Sequence, residues 1–272
     1  MLVNGLFPGS RRAAWWIAVF SGLVACLCPG SLFAFTSSEA NNIAVYEDVA
    51  ASVVNISTAV CDPESFFCTV PSGPASASGI VLREDGAIVT NHHVVSKAGN
   101  IQVTVADGRR LKASLVASSP ADDLAIIRVD VGDRPLKAIR TGDSDSLQVG
   151  EKVLAIGNPF GLGRSLSVGT VSMLNRSVKK NGVVFRGLIQ TDAAINPGNS
   201  GGAMVNSRGE LMGMNTLILS PTGSSIRIGF AIPVNRILKV APGLMDVRAR
   251  WIGWILALFL VFWIGRRIYR TR

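Results

Sequence analysis

The segment TDAAINPGNSGG, residues 191–202, places Ser200 among glycines and asparagines. Glycine permits sharp backbone conformations and the close approach of other groups, so such a turn can present a serine hydroxyl to a partner instead of packing it. Proline, glycine, asparagine and serine also favour ordinary surface turns, and a surface turn is therefore the alternative. Residues elsewhere in the chain must decide between a nucleophile and a simple turn.

Two upstream segments supply the partners that a nucleophilic serine needs. His92 and His93 end the apolar run VTNHHVV, and if this run is a strand, only one of the two imidazoles can face a given cleft. Asp122 and Asp123 directly precede the apolar run LAIIRV. A hydroxyl, a base that takes its proton and a carboxylate that orients the imidazole are the set used in nucleophilic acyl transfer. The chain order His, Asp, Ser is that of the chymotrypsin-type arrangement.

Composition and charge limit the function classes that remain. The chain has 272 residues, of which 48% are hydrophobic, and this content excludes a disordered protein. The formal net charge of +9 invites a nucleic-acid interpretation, but eight basic residues lie near the ends: Arg11, Arg12, Arg248, Arg250, Arg266, Arg267, Arg270 and Arg272. The body between them is nearly neutral. The charge therefore indicates membrane topology, and we expect no nucleic-acid partner.

Residues 1–34 have the pattern of an export signal. A basic pair is followed by the apolar run AAWWIAVFSGLVACLC, and small residues then precede a candidate cleavage point after Ala34. Two alternatives stay open. The tetrapeptide LVAC resembles a bacterial lipobox, which would make Cys26 a lipidated N-terminus, and the segment could also remain as an uncleaved anchor.

A second apolar segment covers residues 251–265, WIGWILALFLVFWIG. As a helix it would be ~22 Å long, which is short of the ~30 Å hydrocarbon core. Tryptophans towards its two ends, with Arg250 and Arg266 able to snorkel, lengthen the effective span. We predict a transmembrane helix followed by a cytoplasmic basic tail at 266–272, so the body would lie outside the cytoplasm. A buried or interfacial helix is the alternative.

Cysteine usage agrees with an exported body. If the signal ends at Ala34, only Cys61 and Cys68 remain, and an even pair closing a short loop predicts a disulfide. Two reduced thiols on a loop are the alternative. The only histidines are the adjacent His92 and His93, so we expect neither a metal site nor a cofactor.

The body between the termini predicts an all-β protein. Apart from the helical run NIAVYEDVAAS, it consists of short β-branched runs separated by turns, which is typical of a barrel or a sandwich. The runs are ASVVNIST, ASGIVLR, GAIVTN, IQVTVADGRRLKASLVA, LAIIRV, EKVLAIG, SLSVGTVSML, GVVFRGLIQT, GELMGMNTLILS and IGFAIP.

Five segments in this order resemble the protease domain of the HtrA/DegP serine proteases. They are TNHHVV, DDLAIIRV, AIGNPFGLG, TDAAINPGNSGG and IGFAIP, and the resemblance extends over roughly residues 43–240. It implies a chymotrypsin-like double β-barrel, with one barrel at about 43–145 and the other at about 146–240. The site would lie between the barrels, near the connection around 147–152.

The resemblance also assigns roles to individual residues. It selects His93 over His92 as the base, Asp123 over Asp122 as the acid and Ser200 as the nucleophile. It implies an oxyanion hole formed by three consecutive residues, with two amides donating: Gly198, Asn199 and Ser200.

Asn199 carries information about activation. Digestive trypsin-like proteases have an aspartate before the serine, which pairs with a new N-terminal amine after cleavage. A neutral asparagine cannot make that ion pair. Activation by cleavage is therefore disfavoured, and the resemblance implies activation by loop rearrangement.

Specificity follows from the position six residues before the nucleophile. Trypsin-like enzymes that cut after Lys or Arg carry an acidic residue there, whereas this chain has Ala194. The resemblance gives pocket-lining roles to Ile195, Ile218 and Ile228, which would form a shallow apolar pocket for small aliphatic side chains. Ordinary core positions are the alternative for these isoleucines.

Taken with the apolar segments, the resemblance predicts a membrane-anchored serine endopeptidase. We expect it in a bacterial inner membrane with its protease domain facing the periplasm, hydrolysing unfolded or damaged exported proteins. The family usually carries C-terminal PDZ domains, but only residues 241–250 separate the body from the apolar segment, so we expect none. The resemblance implies protein or peptide substrates and suggests a homotrimer. The alternatives are a regulatory protease with one membrane-protein target and an inactive protease-fold chaperone or binding module.

Overall fold

A computed structural model describes residues 35–59, 75–159, 163–180, 182–218 and 226–245. The helices are α1 (Ser37–Val49), α2 (His92–Val95) and α3 (Val234–Met245). The strands are β1 (Val53–Ala59), β2 (Ala75–Val81), β3 (Ala87–Thr90), β4 (Asn100–Thr104), β5 (Arg110–Ser119), β6 (Leu124–Val129), β7 (Lys152–Gly157), β8 (Ser165–Lys180), β9 (Val183–Thr191), β10 (Ala203–Val205), β11 (Leu211–Ile218) and β12 (Gly229–Pro233).

The chain divides into two compact units, Met1–Ala40 and Asn41–Arg272. The described part of the first unit contains the beginning of α1. There Glu39 accepts a hydrogen bond of 2.7 Å from the Thr36 backbone, and Thr36 Oγ1 accepts one of 3.2 Å from the Glu39 backbone. This reciprocal capping box satisfies backbone donors that a helix start leaves without partners.

The second unit contains two closed antiparallel barrels. In the first, the strand order around the barrel is β1-β2-β3-β6-β5-β4. In the second, the order is β10-β11-β12-β9-β8-β7. Closure leaves the strands without free edges, which is how short β-branched strands are stabilised without exposing unpaired backbone groups.

Strand β6 explains how the barrels share an apolar interior. Its residues alternate between two faces. Ala125 and Ile127 belong to the core of the first barrel, whereas Leu124 and Ile126 belong to a cluster that also contains Phe230 of the second barrel. The run LAIIRV is therefore almost wholly buried, because both of its faces are covered.

One side of each long helix packs against the same shared cluster. Val45 and Val49 of α1 and Ile237 and Ala241 of α3 are buried in it. Complete burial of one large aliphatic or aromatic side chain is worth about 1.5–3 kcal/mol, so this cluster makes the barrels and helices mutually dependent.

The structure confirms an all-β double barrel, and every run predicted as a strand contributes to one. One prediction is wrong. His92–Val95 is a helical turn instead of the end of a strand, because the His92 backbone N–H donates to the Asp123 carbonyl at 3.2 Å. Two elements, helix α3 and the three-residue strand β10, were not predicted from the sequence.

Several sequence predictions lie outside the described residues. These are the export signal at 1–34 with Cys26, the disulfide between Cys61 and Cys68, and the apolar segment 251–265 with its basic tail. Within the ranges that the structure describes, no helix has the length and apolar character needed to cross a bilayer.

Candidate active site

Strands β3 and β6 bring His93 and Asp123 together. The two strands pair with Thr90 opposite Ala125, so α2 begins beside the residue that precedes β6. Asp123 Oδ1 accepts a hydrogen bond of 3.0 Å from the His93 backbone, and His93 Nδ1 lies 2.9 Å from each carboxylate oxygen. Asp123 is buried, whereas half of the His93 side chain is exposed. The imidazole is thus anchored at Nδ1 and open at its other edge.

The backbone of Asp123 has a left-handed conformation, with φ of 53°. Aspartate and asparagine tolerate this region better than most residues. The conformation directs the Asp123 carbonyl to accept from the Asn91 side chain at 3.1 Å and from the His92 backbone at 3.2 Å. Both the carboxylate and the carbonyl therefore hold the segment that carries His93.

The carboxylate of Asp123 is ionised. Burial is the largest effect and raises its pKa. The hydrogen bonds from His93, together with the hydroxyl of Thr216, outweigh burial and hold the pKa of Asp123 below its usual value. An ionised partner at Nδ1 favours the tautomer that carries its proton there, which leaves Nε2 free to accept a proton.

Thr216 on β11 connects the carboxylate to the serine. Its hydroxyl donates to Asp123 Oδ2 at 2.6 Å, and its carbonyl accepts from Ser200 Oγ at 3.1 Å. Among the described residues, the Ser200 hydroxyl hydrogen-bonds Thr216 and makes no such bond with His93. Hydrogen bonds of this kind are often formed only when a substrate is present. Thr216 was not predicted from the sequence, since a threonine in a strand resembles any other β-branched strand residue.

The turn that carries Ser200 uses its three backbone amides in different ways. The Asn199 N–H donates to the Asn196 carbonyl at 3.0 Å and is used within the turn. In the part of the chain that the structure describes, the N–H groups of Gly198 and Ser200 have no acceptor. Gly198 has φ of 95°, and a Cβ there would lie 2.5 Å from Pro159 Cβ, so only glycine fits. Two of the three predicted oxyanion residues thus have free amides.

Asn199 is buried as a neutral group. Its Oδ1 accepts from Ser165 Oγ at 3.3 Å and lies so close to Gly157 that a Cβ at that position would collide with it. A buried amide with a neutral hydrogen-bond donor needs no cation.

The predicted pocket residues are neighbours in the fold. Ile218 pairs with Gly229 across β11 and β12, and a Cβ at Gly229 would lie 2.5 Å from Ile195 Cγ1. Ile195 is buried, whereas Ile228 is half-buried and packs against the cluster shared by the barrels. Ala194 is partly exposed, and its carbonyl accepts from Ser167 at 2.8 Å. The surroundings of Ile195 are apolar and include Ala155.

Comparisons with known proteins agree with this geometry. A family model described as a trypsin-like peptidase domain matches residues 77–214. Periplasmic serine endoprotease DegP of Escherichia coli K12 is 47% identical over 173 residues, which cover 63% of this chain and 36% of that protein. Protease Do-like 1, chloroplastic, of Arabidopsis thaliana is 41% identical over 204 residues, covering 74% of this chain and 46% of that protein.

A solved structure of the HtrA-type protease AlgW with a tripeptide superposes with a TM-score of 0.67 at 37% identity. The superposition covers 75% of this chain and 64% of the AlgW chain. The chain belongs to the trypsin-like peptidase family and is HtrA-like within it. It spans about a third to a half of the length of the curated relatives it matches.

Proposed function

We propose that the chain is a serine endopeptidase in which Ser200 attacks the scissile carbonyl, His93 takes the proton and Asp123 orients the imidazole. The observation that carries the proposal is the set of contacts made by Asp123: His93 Nδ1 at 2.9 Å and Thr216 Oγ1 at 2.6 Å, with the Thr216 carbonyl bonded to Ser200. These contacts link the three groups across the two barrels. The family membership supports the same chemistry.

In the proposed mechanism, the hydroxyl of Ser200 leaves the Thr216 carbonyl and donates to His93 Nε2 when a peptide binds. Proton transfer to His93 accompanies attack on the carbonyl, and the ionised Asp123 stabilises the imidazolium. The free amides of Gly198 and Ser200 then receive the negative charge on the carbonyl oxygen. Each donor of this kind contributes about 3 kcal/mol of transition-state stabilisation. The imidazolium next protonates the leaving amine, and water releases the acyl group by the same route.

The substrates and location belong to the same proposal. The likeness to periplasmic endoproteases, and to an HtrA-type protease solved with peptides, supports unfolded or damaged exported proteins as substrates in the bacterial periplasm. We propose that the chain is anchored in the inner membrane through its apolar segments, that it forms a homotrimer, and that its pocket takes small aliphatic residues. The apolar surroundings of Ile195 support the last point.

A second candidate is an inactive protease-fold chaperone or binding module. The hydrogen bond from Ser200 to Thr216, made in place of one to His93, favours it, because a serine held in this way is not activated. A regulatory protease with a single membrane-protein target differs from a general protease in its substrates alone.

Labelling with a fluorophosphonate separates these functions. The wild-type chain in membranes should be labelled and should hydrolyse casein, whereas Ser200→Ala should do neither and should keep its melting temperature. Ser144→Ala is the matched control, since it also removes a serine hydroxyl, but one that is buried and accepts from the Asn235 backbone in α3. No labelling of a folded wild-type chain would support the binding module, and labelling without casein hydrolysis would support the regulatory protease.

A further inference from the structure

Ser78 on β2 is completely buried, and its backbone and hydroxyl groups are hydrogen-bonded. Its N–H donates to the Ser200 carbonyl at 2.9 Å. Its hydroxyl donates to the Gly198 carbonyl at 2.7 Å and accepts from the Asn158 backbone at 2.8 Å. Its carbonyl accepts from the Thr90 hydroxyl at 2.8 Å. One residue of the first barrel thus holds both ends of the Gly198–Ser200 segment of the second.

Each carbonyl that Ser78 holds belongs to a peptide unit whose N–H is also bonded. The unit between residues 198 and 199 has its N–H on the Asn196 carbonyl at 3.0 Å. The unit between residues 200 and 201 has its N–H on the Asn215 carbonyl at 2.8 Å. Because a peptide unit is planar, hydrogen bonds at both of its ends fix its orientation. These two units frame the amide of Ser200.

The unit that carries the Ser200 N–H lies between these two fixed units. The carbonyl of this unit belongs to Asn199 and accepts from the Gly202 N–H at 2.9 Å. Because the peptide unit is planar, this bond also fixes the direction of the Ser200 N–H. A Cβ at Gly201 would collide with the carbonyl oxygen of Ser78. The turn therefore lies directly against β2, and nothing intervenes between it and Ser78.

We propose that Ser78 is a positioning residue for oxyanion stabilisation, which rests on the proposed serine-peptidase function. Its hydroxyl and N–H hold the turn so that the free amides of Gly198 and Ser200 point to one place. Without the hydroxyl, the Gly198 carbonyl and the buried Asn158 N–H lose their partner, and turning a peptide unit towards another acceptor becomes favourable. Such a turn would misdirect the amides while leaving His93 and Asp123 in place.

Ser78→Ala tests the proposal in the full chain. We expect kcat to fall about 10- to 100-fold with KM unchanged. This loss is smaller than the one expected when an oxyanion-hole donor is removed altogether, because the amides are misdirected and not deleted. The Ki of an aliphatic peptide boronate, whose adduct with Ser200 is tetrahedral, should rise by the same factor, because this adduct uses the same amides. Ser144→Ala removes a buried hydroxyl that accepts from the Asn235 backbone at 3.1 Å and should change neither constant. Wild-type kcat in a folded Ser78→Ala chain would overturn the proposal.

Hydrogen exchange gives a second readout that needs no activity. The N–H groups of Asn199 and Gly201 should exchange faster in Ser78→Ala than in the wild type or in Ser144→Ala, and unchanged exchange would overturn the proposal. An inactive wild type with this faster exchange would reject the peptidase function and retain the positioning role. If Ser78→Ala does not fold, Thr90→Val removes the bond to the Ser78 carbonyl alone. It should lower kcat and speed exchange to a smaller degree, and no change in either would overturn the proposal.

Discussion

Thr216 Oγ1 donates a hydrogen bond of 2.6 Å to Asp123 Oδ2, across the boundary between the two barrels. Asp123 precedes a strand of the first barrel and Thr216 lies in a strand of the second. The acid and the serine are therefore positioned relative to each other by one residue. This link means that the geometry of the candidate site depends on how the barrels pack together.

Thr216→Val should weaken this link. The variant keeps the shape of the side chain but removes a hydrogen bond to a buried charged group, an interaction worth about 1.5–3 kcal/mol. We expect kcat/KM to fall about 10- to 100-fold, while Thr216→Ser should retain most of it. Steady-state kinetics on a peptide substrate, with melting temperatures of all three chains, check this. A loss in Thr216→Ser as large as that in Thr216→Val would mean that the methyl group matters as much as the hydroxyl, and a loss in Thr216→Ser alone would contradict the role of the hydroxyl.

His93 and His92 should differ sharply. His93→Ala should lower kcat by several orders of magnitude, since no other described group contacts Asp123 as a base. His92→Ala should retain most activity, because only the His92 backbone is bonded to Asp123, and its ring Nδ1 has no hydrogen-bond partner among the described residues. Hydrolysis rates of the two purified variants decide the matter, and the reverse order would show that the wrong histidine has been chosen.

The barrels and the candidate catalytic residues were predicted from different features of the sequence. Runs such as LAIIRV can be recognised because β-branched residues favour strands and turns separate the runs, while His93, Asp123 and Ser200 were found through ordered motifs. Their supporting residues could not be found in the same way. Ser78, Thr90 and Thr216 are ordinary hydroxyl residues in strands, and the groups they bond are far away in sequence, so local patterns contain no sign of them.

The error at α2 has the same physical origin. His92 and His93 follow a strand, and their own types do not favour a helix. Their backbone N–H groups are satisfied by the carbonyl and the carboxylate of Asp123, and this partner fixes a helical turn only after the chain has folded. The contact is tertiary, so it overrides the local preference.

Stability in acid should depend on Asp123. Its pKa is lower in the folded protein than in the unfolded chain, so its contribution is fully present above the unfolded pKa of about 3.9 and is lost as pH falls through the folded value. Asn tolerates the left-handed backbone at this position, so Asp123→Asn is a suitable reference. Urea unfolding of both chains should show the wild type losing its advantage as the pH falls below about 4. An advantage that grows on acidification would contradict the lowered pKa.

Gly198 should tolerate no side chain. With φ of 95° and Pro159 Cβ 2.5 Å from the position of an added Cβ, Gly198→Ala must shift the turn or Pro159. We expect kcat to fall at least 100-fold, the size expected when one oxyanion donor is lost. Gly108→Ala is the matched control, because Gly108 also has a positive φ, 83°, but open space around it. Both variants should lose stability through the backbone, and only the first should lose kcat.

Cleavage should follow small aliphatic residues. Ala194 provides no carboxylate for a Lys or Arg head, so an apolar pocket would have to remove water from that charge at a cost of several kcal/mol. A Val or Ile side chain instead gains about 1.5–3 kcal/mol on full burial. Digestion of a denatured protein by the chain, with the new termini mapped by mass spectrometry, should give most cuts after Val, Ile, Leu or Ala.

Two outcomes of this digestion would contradict the pocket. A majority of cuts after Lys or Arg would mean that a carboxylate from another position reaches the substrate side chain. The candidate is Asp192, whose carboxylate accepts from the Thr170 backbone at 2.6 Å, and Asp192→Asn would test it. A majority after Phe or Tyr would mean a deeper pocket than Ile195 allows. Ala194→Asp provides the positive test. If this position faces the bound side chain, the new carboxylate should raise the share of cuts after Lys and Arg above that of the wild type.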